Sequence, residues 1–292
     1  MTLRDKRQSE FAQMWLDNDK YGILNLCPRF GKIFTTINIL EKLITPTILI
    51  AYPDNKIKES WQADFEEREY DTSRVTYTTH LSLKKHVDQE YDVVIIDEIH
   101  LLSEAQIEVC KELFKYNSQI LGLTGTLSRD TEINLEKELD IHVIAHYPIE
   151  KAIKEGVIVD YEITVIRVPL DDKKLIDYKG KLKTEKKQFD NLTWVINKMM
   201  NSGSDTMFMR LARMRIIQSS LAKTNATKAL LAKHKDERVL VFCGTTKVAD
   251  SLGIASYHNK SKEKQIFENF AEGEGNHLAV VKIGNTGVTY KP

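Results

Sequence analysis

The sequence is short of several things, and each shortage removes a class of protein. Net charge is absent: 42 basic and 42 acidic side chains cancel, so any affinity for nucleic acid must come from local patches and not from a globally positive field. Cysteine is sparse, with Cys27, Cys110 and Cys243 far apart in sequence and matching no metal-ligand spacing. An odd, thin count of this kind suits a reducing cytosol and excludes a disulfide scaffold, and Cys27 reads as a small filler residue. No apolar run approaches the roughly 20 residues of a membrane span, and the polar start T-L-R-D-K-R-Q-S-E is no signal peptide. No short-period repeat occurs, which argues against a solenoid. The expectation is a cytoplasmic protein without a membrane segment.

What is present is ample core-forming material, 42% hydrophobic and 29% charged, in 292 residues, enough for two domains. The central stretch is Ile23 to Ile37, I-L-N-L-C-P-R-F-G-K-I-F-T-T-I. An apolar strand (Tyr21 to Leu26) enters a short loop holding Pro28, Gly31 and Lys32. An amphipathic helix leaves it with Ile33, Ile37, Leu40 and Leu43 at helical spacing. This is the layout of a phosphate-binding loop, in which backbone N–H groups at a helix start face an anion and a lysine reaches the outer phosphates. The match is partial, because a glycine is wanted where Leu26 stands and a Ser or Thr where Ile33 stands. An ordinary strand-turn-helix uses the same residues.

Upstream, residues 6–17 read as a helix carrying Gln8, whose amide suits an adenine edge but equally decorates a surface. Downstream, strands are expected at 47–52, 75–78, 91–96 and 119–123, with helices at 54–69 and 103–115 between them. Ile57, Trp61 and Phe65 on the first of these helices form a packing stripe. Near-continuous apolar strands alternating with helices through residue 147 imply a parallel sheet covered on both faces, with ligands beyond its carboxyl ends. Lys32, Asp97-Glu98 and Thr124 to Thr126 all fall at such ends. Asp97 and Glu98 close an apolar strand, where two adjacent carboxylates resist burial unless a hard cation sits between them and a phosphate. Asp97 is then the metal ligand and Glu98 the base for an attacking water. A solvated strand end before a helix start is the bland alternative.

Beyond a helix at 149–154, Tyr161 to Val168 alternates as a strand, and Asp171 to Lys187 is lysine-rich and apolar-poor, a solvated loop or a basic stripe for a phosphodiester backbone. Helices at 189–201, 205–222 (with Arg210, Arg213 and Arg215) and 225–234 lead into a second alternation. It comprises strand 238–243, helix 246–252, helix 261–271 and strand 278–283.

In this order the motifs resemble those of superfamily 2 helicases and translocases, including phage-type DNA recombination and repair members. Gln8 stands at the Q-motif position, and Cys27 to Lys32 resembles motif I. Ala51 to Pro53 resembles motif Ia, and Thr78 to His80 the DNA-contact motif that follows. Asp97 to His100 (D-E-I-H) is similar to the DEAH/DExH box, and Thr124 to Thr126 (T-G-T) to motif III. Val239 to Cys243 resembles motif IV and Lys282 to Val288 motif V, with Tyr147 to Ile163 similar to the inter-lobe segment of DNA-directed members. The resemblance implies an α/β protein of two tandem RecA-like (P-loop NTPase) domains, 1–148 and 149–292, with parallel sheets. The second is expected to be incomplete at its C-terminus, since no counterpart of the arginine-bearing motif VI follows motif V. It implies ATP and Mg²⁺ as cofactors and nucleic acid as partner, with T-G-T favouring DNA over RNA. By resemblance, Lys32, Asp97, Glu98 and His100 are catalytic. Gln8, Pro28, Arg29, Phe30, Gly31, Lys32 and Ile33 line the nucleotide. Tyr52, Thr79, His80, Thr124, Thr126, Thr245 and Thr286 touch nucleic acid, Thr124 and Thr126 with His100 also coupling hydrolysis to lobe movement. Ile33, in place of the Mg²⁺-ligating hydroxyl residue, keeps a second reading open: a nucleic-acid-binding scaffold that retains the fold with a weakened engine. A small-molecule kinase leaves the second domain unexplained.

Overall fold

A computed structural model describes residues 2–178, 181–261 and 265–281 and divides the chain into two units, Met1–Glu162 and Ile163–Pro292.

The first unit is a three-layer α/β/α sandwich. Its elements run α1 (Leu3–Asp17), β1 (Tyr21–Leu26), α2 (Lys32–Leu40), β2 (Ile48–Tyr52), α3 (Asn55–Glu67), β3 (Val75–Thr79), β4 (Val93–Ile96), α4 (Glu104–Tyr116), β5 (Ile120–Thr124), α5 (Arg129–Leu139), β6 (Val143–Tyr147) and α6 (Ile149–Lys154). All six strands are parallel, in the order β3-β2-β4-β5-β1-β6. Period-2 alternation assigns each strand residue a face. Leu24, Leu26, Ile48, Ile50, Tyr52, Val93 and Ile95 meet α1, α2 and α3 on one side. Ile23, Leu49, Ala51, Val94, Ile96 and Ile120 meet α4 and α5 on the other. α1 starts with a capping box between Thr2 and Asp5, and drives Trp15 into the core, where its indole N–H donates to the Ile120 carbonyl at 3.1 Å.

The unit ends at Glu162, fourteen residues past the expected boundary at 148. The reason is packing: Ala152 and Val157 are buried in the first core, and Glu155 takes a bidentate contact from Arg7 (Nη2 to Oε1 2.7 Å, Nε to Oε2 3.0 Å) and a third bond from the Tyr147 hydroxyl at 2.9 Å. β6 completes the sheet and α5 packs on it through Leu135 and Leu139; neither element was individually expected. Residues 161–168 form no strand; Ile163 and Val165 are 76% and 80% exposed, so the alternation there encodes no buried face.

The second unit contains a short antiparallel hairpin, β7 (Ile176–Tyr178) and β8 (Lys181–Lys183), within the lysine-rich stretch. Helices α7 (Glu185–Asn201), α8 (Met207–Gln218) and α9 (Leu221–Lys233) follow. Then come β9 (Val239–Phe242), α10 (Thr246–Ser251), β10 (Ala255–Tyr257), α11 (Gln265–Ala271) and β11 (His277–Val280). The three last strands form a parallel sheet ordered β10-β11-β9, with Ala249 and Leu252 covering one face and Phe270 the other. The Lys282 to Val288 stretch, Thr286 included, lies outside the described residues. Among the described residues no helix is long and apolar enough to cross a membrane.

Trp15→Ala is expected to destabilise the first unit by about 3–5 kcal/mol, from lost burial, the cavity left and the lost hydrogen bond to the Ile120 carbonyl. A urea denaturation midpoint measures it.

Candidate nucleotide site

The ends of β4, β5 and β1 lie side by side, and each delivers a polar residue to the same rim. β5 separates the other two strands, so Lys32 after β1 reaches across it to the acidic pair after β4. The Lys32 ammonium lies 4.0 Å from Asp97 Oδ1 and in direct ion-pair contact with Glu98 Oε1. These two residues, about 65 positions apart in sequence, therefore converge. Glu98 holds a left-handed backbone (φ 49°), unusual for a non-glycine residue, which turns its side chain towards the lysine.

Asp97 is 4% exposed, and its polar atoms are held by neighbours from several elements. Trp61 on α3 donates its indole N–H to Oδ2 at 2.9 Å, and the Glu98 amide donates to Oδ1 at 2.9 Å. His80, on the 3-10 helix His80–His86 after β3, makes a 2.9 Å bond from Nε2 to the Asp97 carbonyl. Burial pushes the Asp97 carboxyl up, and the Lys32 charge opposes that shift. Trp61 was read as packing alone; an indole N–H inside a core must find an acceptor, but the sequence does not say which.

The loop itself is held from below. Phe30 is fully buried, its ring packed on Phe11 (5.6 Å) and Tyr147 (4.9 Å), so only its backbone faces the site. Gln8 is buried as well and donates its amide to the Phe30 carbonyl at 3.1 Å, so its nitrogen supports the loop. Pro28 and Arg29 are exposed at the loop tip, and Arg29 has φ 64°. Gly31, with φ 97°, caps α2 without any side-chain bond to the helix amides, leaving them open to an anion. A Cβ on Gly31 would stand 2.5 Å from Gln8 Nε2. Gly125 of T-G-T lets β5 approach the loop: its Cβ would come within 3.1 Å of the Leu26 carbonyl and 3.2 Å of Pro28.

Ile33 packs partly buried against the core. Thr35 Oγ1 donates to the Gly31 carbonyl (3.1 Å) and Thr36 Oγ1 to the Lys32 carbonyl (3.0 Å), both buried on the helix's inner side. Among the described residues no cluster of three or more His, Cys, Asp or Glu could hold a metal alone. A Mg²⁺ ion needs less, one carboxylate plus substrate phosphate oxygens and waters, and Asp97 beside an anion-ready loop fits that donor set.

His100 links the acidic loop to T-G-T, with Nδ1 2.8 Å from Thr124 Oγ1 and 3.4 Å from Glu98 Oε2, and Nε2 3.3 Å from Thr126 Oγ1. Burial pushes its pKa down, favouring the neutral ring. Three of the residues expected to touch nucleic acid are buried. Tyr52 shares the inward face of β2 with Ile48 and Ile50, His80 sits beneath Asp97, and Thr124 is spent on His100. Thr79 is half-buried and Thr126 exposed, while Thr245 Oγ1 accepts from the Val248 amide as the N-cap of α10.

Gly31→Ala is expected to lower stability by about 1–3 kcal/mol through the left-handed backbone and the clash with Gln8. Combining it with Gln8→Ala removes the clash, so the double variant falls short of the summed losses by about 1 kcal/mol in a denaturation cycle.

Residues 50–129, spanning β2 to the start of α5, match the family described as type III restriction enzyme, res subunit. No curated protein sequence matches the chain. Among solved structures, the chain is similar to the Pyrococcus furiosus Hef helicase domain, at 13% identity and a TM-score of 0.53, covering 94% of this chain and 85% of that one. It is similar to a fragment of a putative HsdR subunit of a type I restriction enzyme from Vibrio vulnificus, at 15% identity and a TM-score of 0.55, covering 96% of this chain and about half (53%) of that one. It also resembles S. cerevisiae Dbp5 L327V bound to RNA and ADP BeF3, at 12% identity and a TM-score of 0.50, covering 97% and 71%. With its parallel sheets and the motif order set on them, the chain has a superfamily 2 helicase-like fold, built of RecA-like α/β units.

Proposed function

We propose that this protein is an ATP-dependent DNA translocase or helicase that uses the Lys32–Asp97–Glu98 rim to hydrolyse ATP. The observation that carries the reading is the 4.0 Å approach of Lys32 to Asp97 at the carboxyl ends of β1 and β4. Lys32 and the open amides of α2 bind the phosphates, with Pro28, Arg29 and Gly31 shaping the loop around them. Lys32 exchanges its contact with Glu98 for the phosphate oxygens, which frees that carboxylate. Glu98 then orients a water and takes its proton as the oxygen attacks the γ-phosphorus; the β–γ bridging bond breaks and ADP and phosphate leave. Asp97 would hold Mg²⁺, whose positive charge offsets that developing on the phosphate oxygens. His100, bridging Glu98 to Thr124 and Thr126, passes the state of the site to T-G-T. Gln8 acts through Phe30 and Gly31 as a positioning residue. Thr79, Thr126 and Thr245 remain candidates for backbone contacts to DNA, favoured over RNA by the T-G-T motif.

A second reading, a nucleic-acid-binding scaffold with a weakened engine, is favoured by one observation: Ile33 offers no oxygen, and Thr35 and Thr36 have committed theirs to the helix.

Turnover in the presence of Mg²⁺ and DNA discriminates the two. Glu98→Gln is expected to keep ATP binding and lose about 10²- to 10⁴-fold in turnover, and Lys32→Ala to lose binding itself. Equal turnover in Glu98→Gln and the parent removes Glu98 from the chemistry. Ile33→Thr restores a hydroxyl, and a large gain in turnover identifies an engine that is otherwise intact.

A further inference from the structure

The zero net charge conceals a strong segregation. Residues 1–162 carry 19 basic against 29 acidic side chains, and residues 163–292 carry 23 against 13. Within the second unit, α7 turns one face outwards at spacings of four, three, four and three: Lys187, Asn191, Trp194, Lys198 and Asn201, all exposed. The opposite face packs on α8, where Arg213 donates to Thr193 Oγ1 at 3.2 Å and lies over the Phe189 ring. Trp194 is 64% exposed, whereas the other two tryptophans, Trp15 and Trp61, are fully buried. Lys198 steadies the indole from one side, its ammonium 5.3 Å from the ring centroid, and the rest of the ring is left to solvent.

We propose that this face of α7 is a track for single-stranded DNA, with Trp194 stacking on a base and Lys187 and Lys198 meeting phosphates on either side. The choice of DNA rests on the translocase reading above. An unpaired strand is the occupant whose chemistry fits. It offers π faces that a duplex keeps inside its stack, and a polyanion for two ammonium groups that helix rise spaces about 16 Å apart. The two asparagine amides add donors and acceptors along the same line. α7 carries two acidic groups, and only one of them shares this face. Glu185 is turned inwards, accepting from Ser220 Oγ at 2.9 Å and from the Leu221 amide, while Asp190 is exposed on the face one turn before Trp194, where the two lysines outnumber it. An apolar protein partner would instead select aliphatic neighbours around the tryptophan, not lysine and asparagine.

The test is anisotropy of a short labelled oligo-dT on the whole chain without nucleotide, beside oligo-U and a duplex of equal length. Trp194→Ala is expected to weaken oligo-dT binding about 5- to 100-fold, and Trp194→Phe to retain most of it. Oligo-dT should quench the parent's indole emission, a response Trp194→Phe loses because the remaining tryptophans are buried. Lys187→Ala with Lys198→Ala should flatten the slope of log affinity against log salt by about 1.4. Oligo-dT binding that is absent in the parent, unchanged in Trp194→Ala, weaker than oligo-U binding, or matched by an equal loss on duplex overturns the proposal. So does a Trp194→Ala effect confined to the sedimentation coefficient, which would make the face a contact between copies. Lys32→Ala separates the two readings: lost turnover with intact oligo-dT binding is expected. Full turnover in that variant defeats the ATPase reading and leaves the track standing on its own binding data.

Discussion

A carboxylate buried at the end of a strand is the constraint on which the rest of the first unit turns. Asp97 cannot be hydrated where it sits, so the protein surrounds it with donors from separate elements. Trp61 comes from α3, the Glu98 amide from the turn itself, and Lys32 from the start of α2, while the Asp97 amide binds the Ala51 carbonyl at the end of β2. Each is held by its own packing, Trp61 within the core and Lys32 by a loop anchored through Phe30. Such a pocket is expensive to build as a structural feature, because a hydrophobic residue at the same place would need none of these partners. A carboxylate fixed in orientation before any ligand arrives is what the proposed function requires of Asp97.

The second consequence concerns Ile33. In the resemblance a hydroxyl at this position completes the cation's shell, and here the position faces partly into the core. The neighbouring threonines satisfy themselves on the carbonyls of Gly31 and Lys32, a bond that hydroxyls inside helices commonly form and that turns the oxygen away from the helix start. The loop therefore keeps the amides and the ammonium, which recognise phosphate, and gives up the group that recognises metal. Under the proposed function, Asp97 is then the residue of this rim that would hold the cation.

Much of the first unit was legible because its strands are buried on both faces. β1, β2, β4 and β5 announce themselves as near-continuous apolar runs, and the polar residues that punctuate them mark the carboxyl ends. Direction was harder. Tyr52 shares a parity with Ile48 and Ile50, so the period of two already places it inside, but motif position outweighed that count and made it a nucleic-acid contact. Trp61 fits a packing stripe, and its N–H partner thirty-six residues away is a tertiary fact that no local pattern records. At 161–168 the reverse occurred: alternation is real in the letters, yet a strand needs a face to bury and a neighbour to pair with, and the exposed Ile163 and Val165 have no buried face there. The loop glycines were legible in kind only. Gly31 is required by its backbone angle and by the proximity of Gln8, and Gly125 by the approach of β5 to the loop.

The division of charge gives the two units different electrostatic tasks. A unit with an excess of ten acidic groups repels both a nucleotide and a nucleic-acid backbone at long range, so its affinity for phosphate has to be local. On the proposed reading it would come from one ammonium and the first amides of a nine-residue helix, with a cation on Asp97, all acting within a few ångströms. The second unit, with an excess of ten basic groups, attracts a polyanion at a distance and needs no single strong site to do so. A nucleotide, compact and highly charged, suits the first kind of recognition; a strand, extended and repetitive, suits the second. The total charge of zero thus hides a separation of the two signs along the chain, and under the proposed function the basic second unit is the one that draws a nucleic-acid strand from a distance.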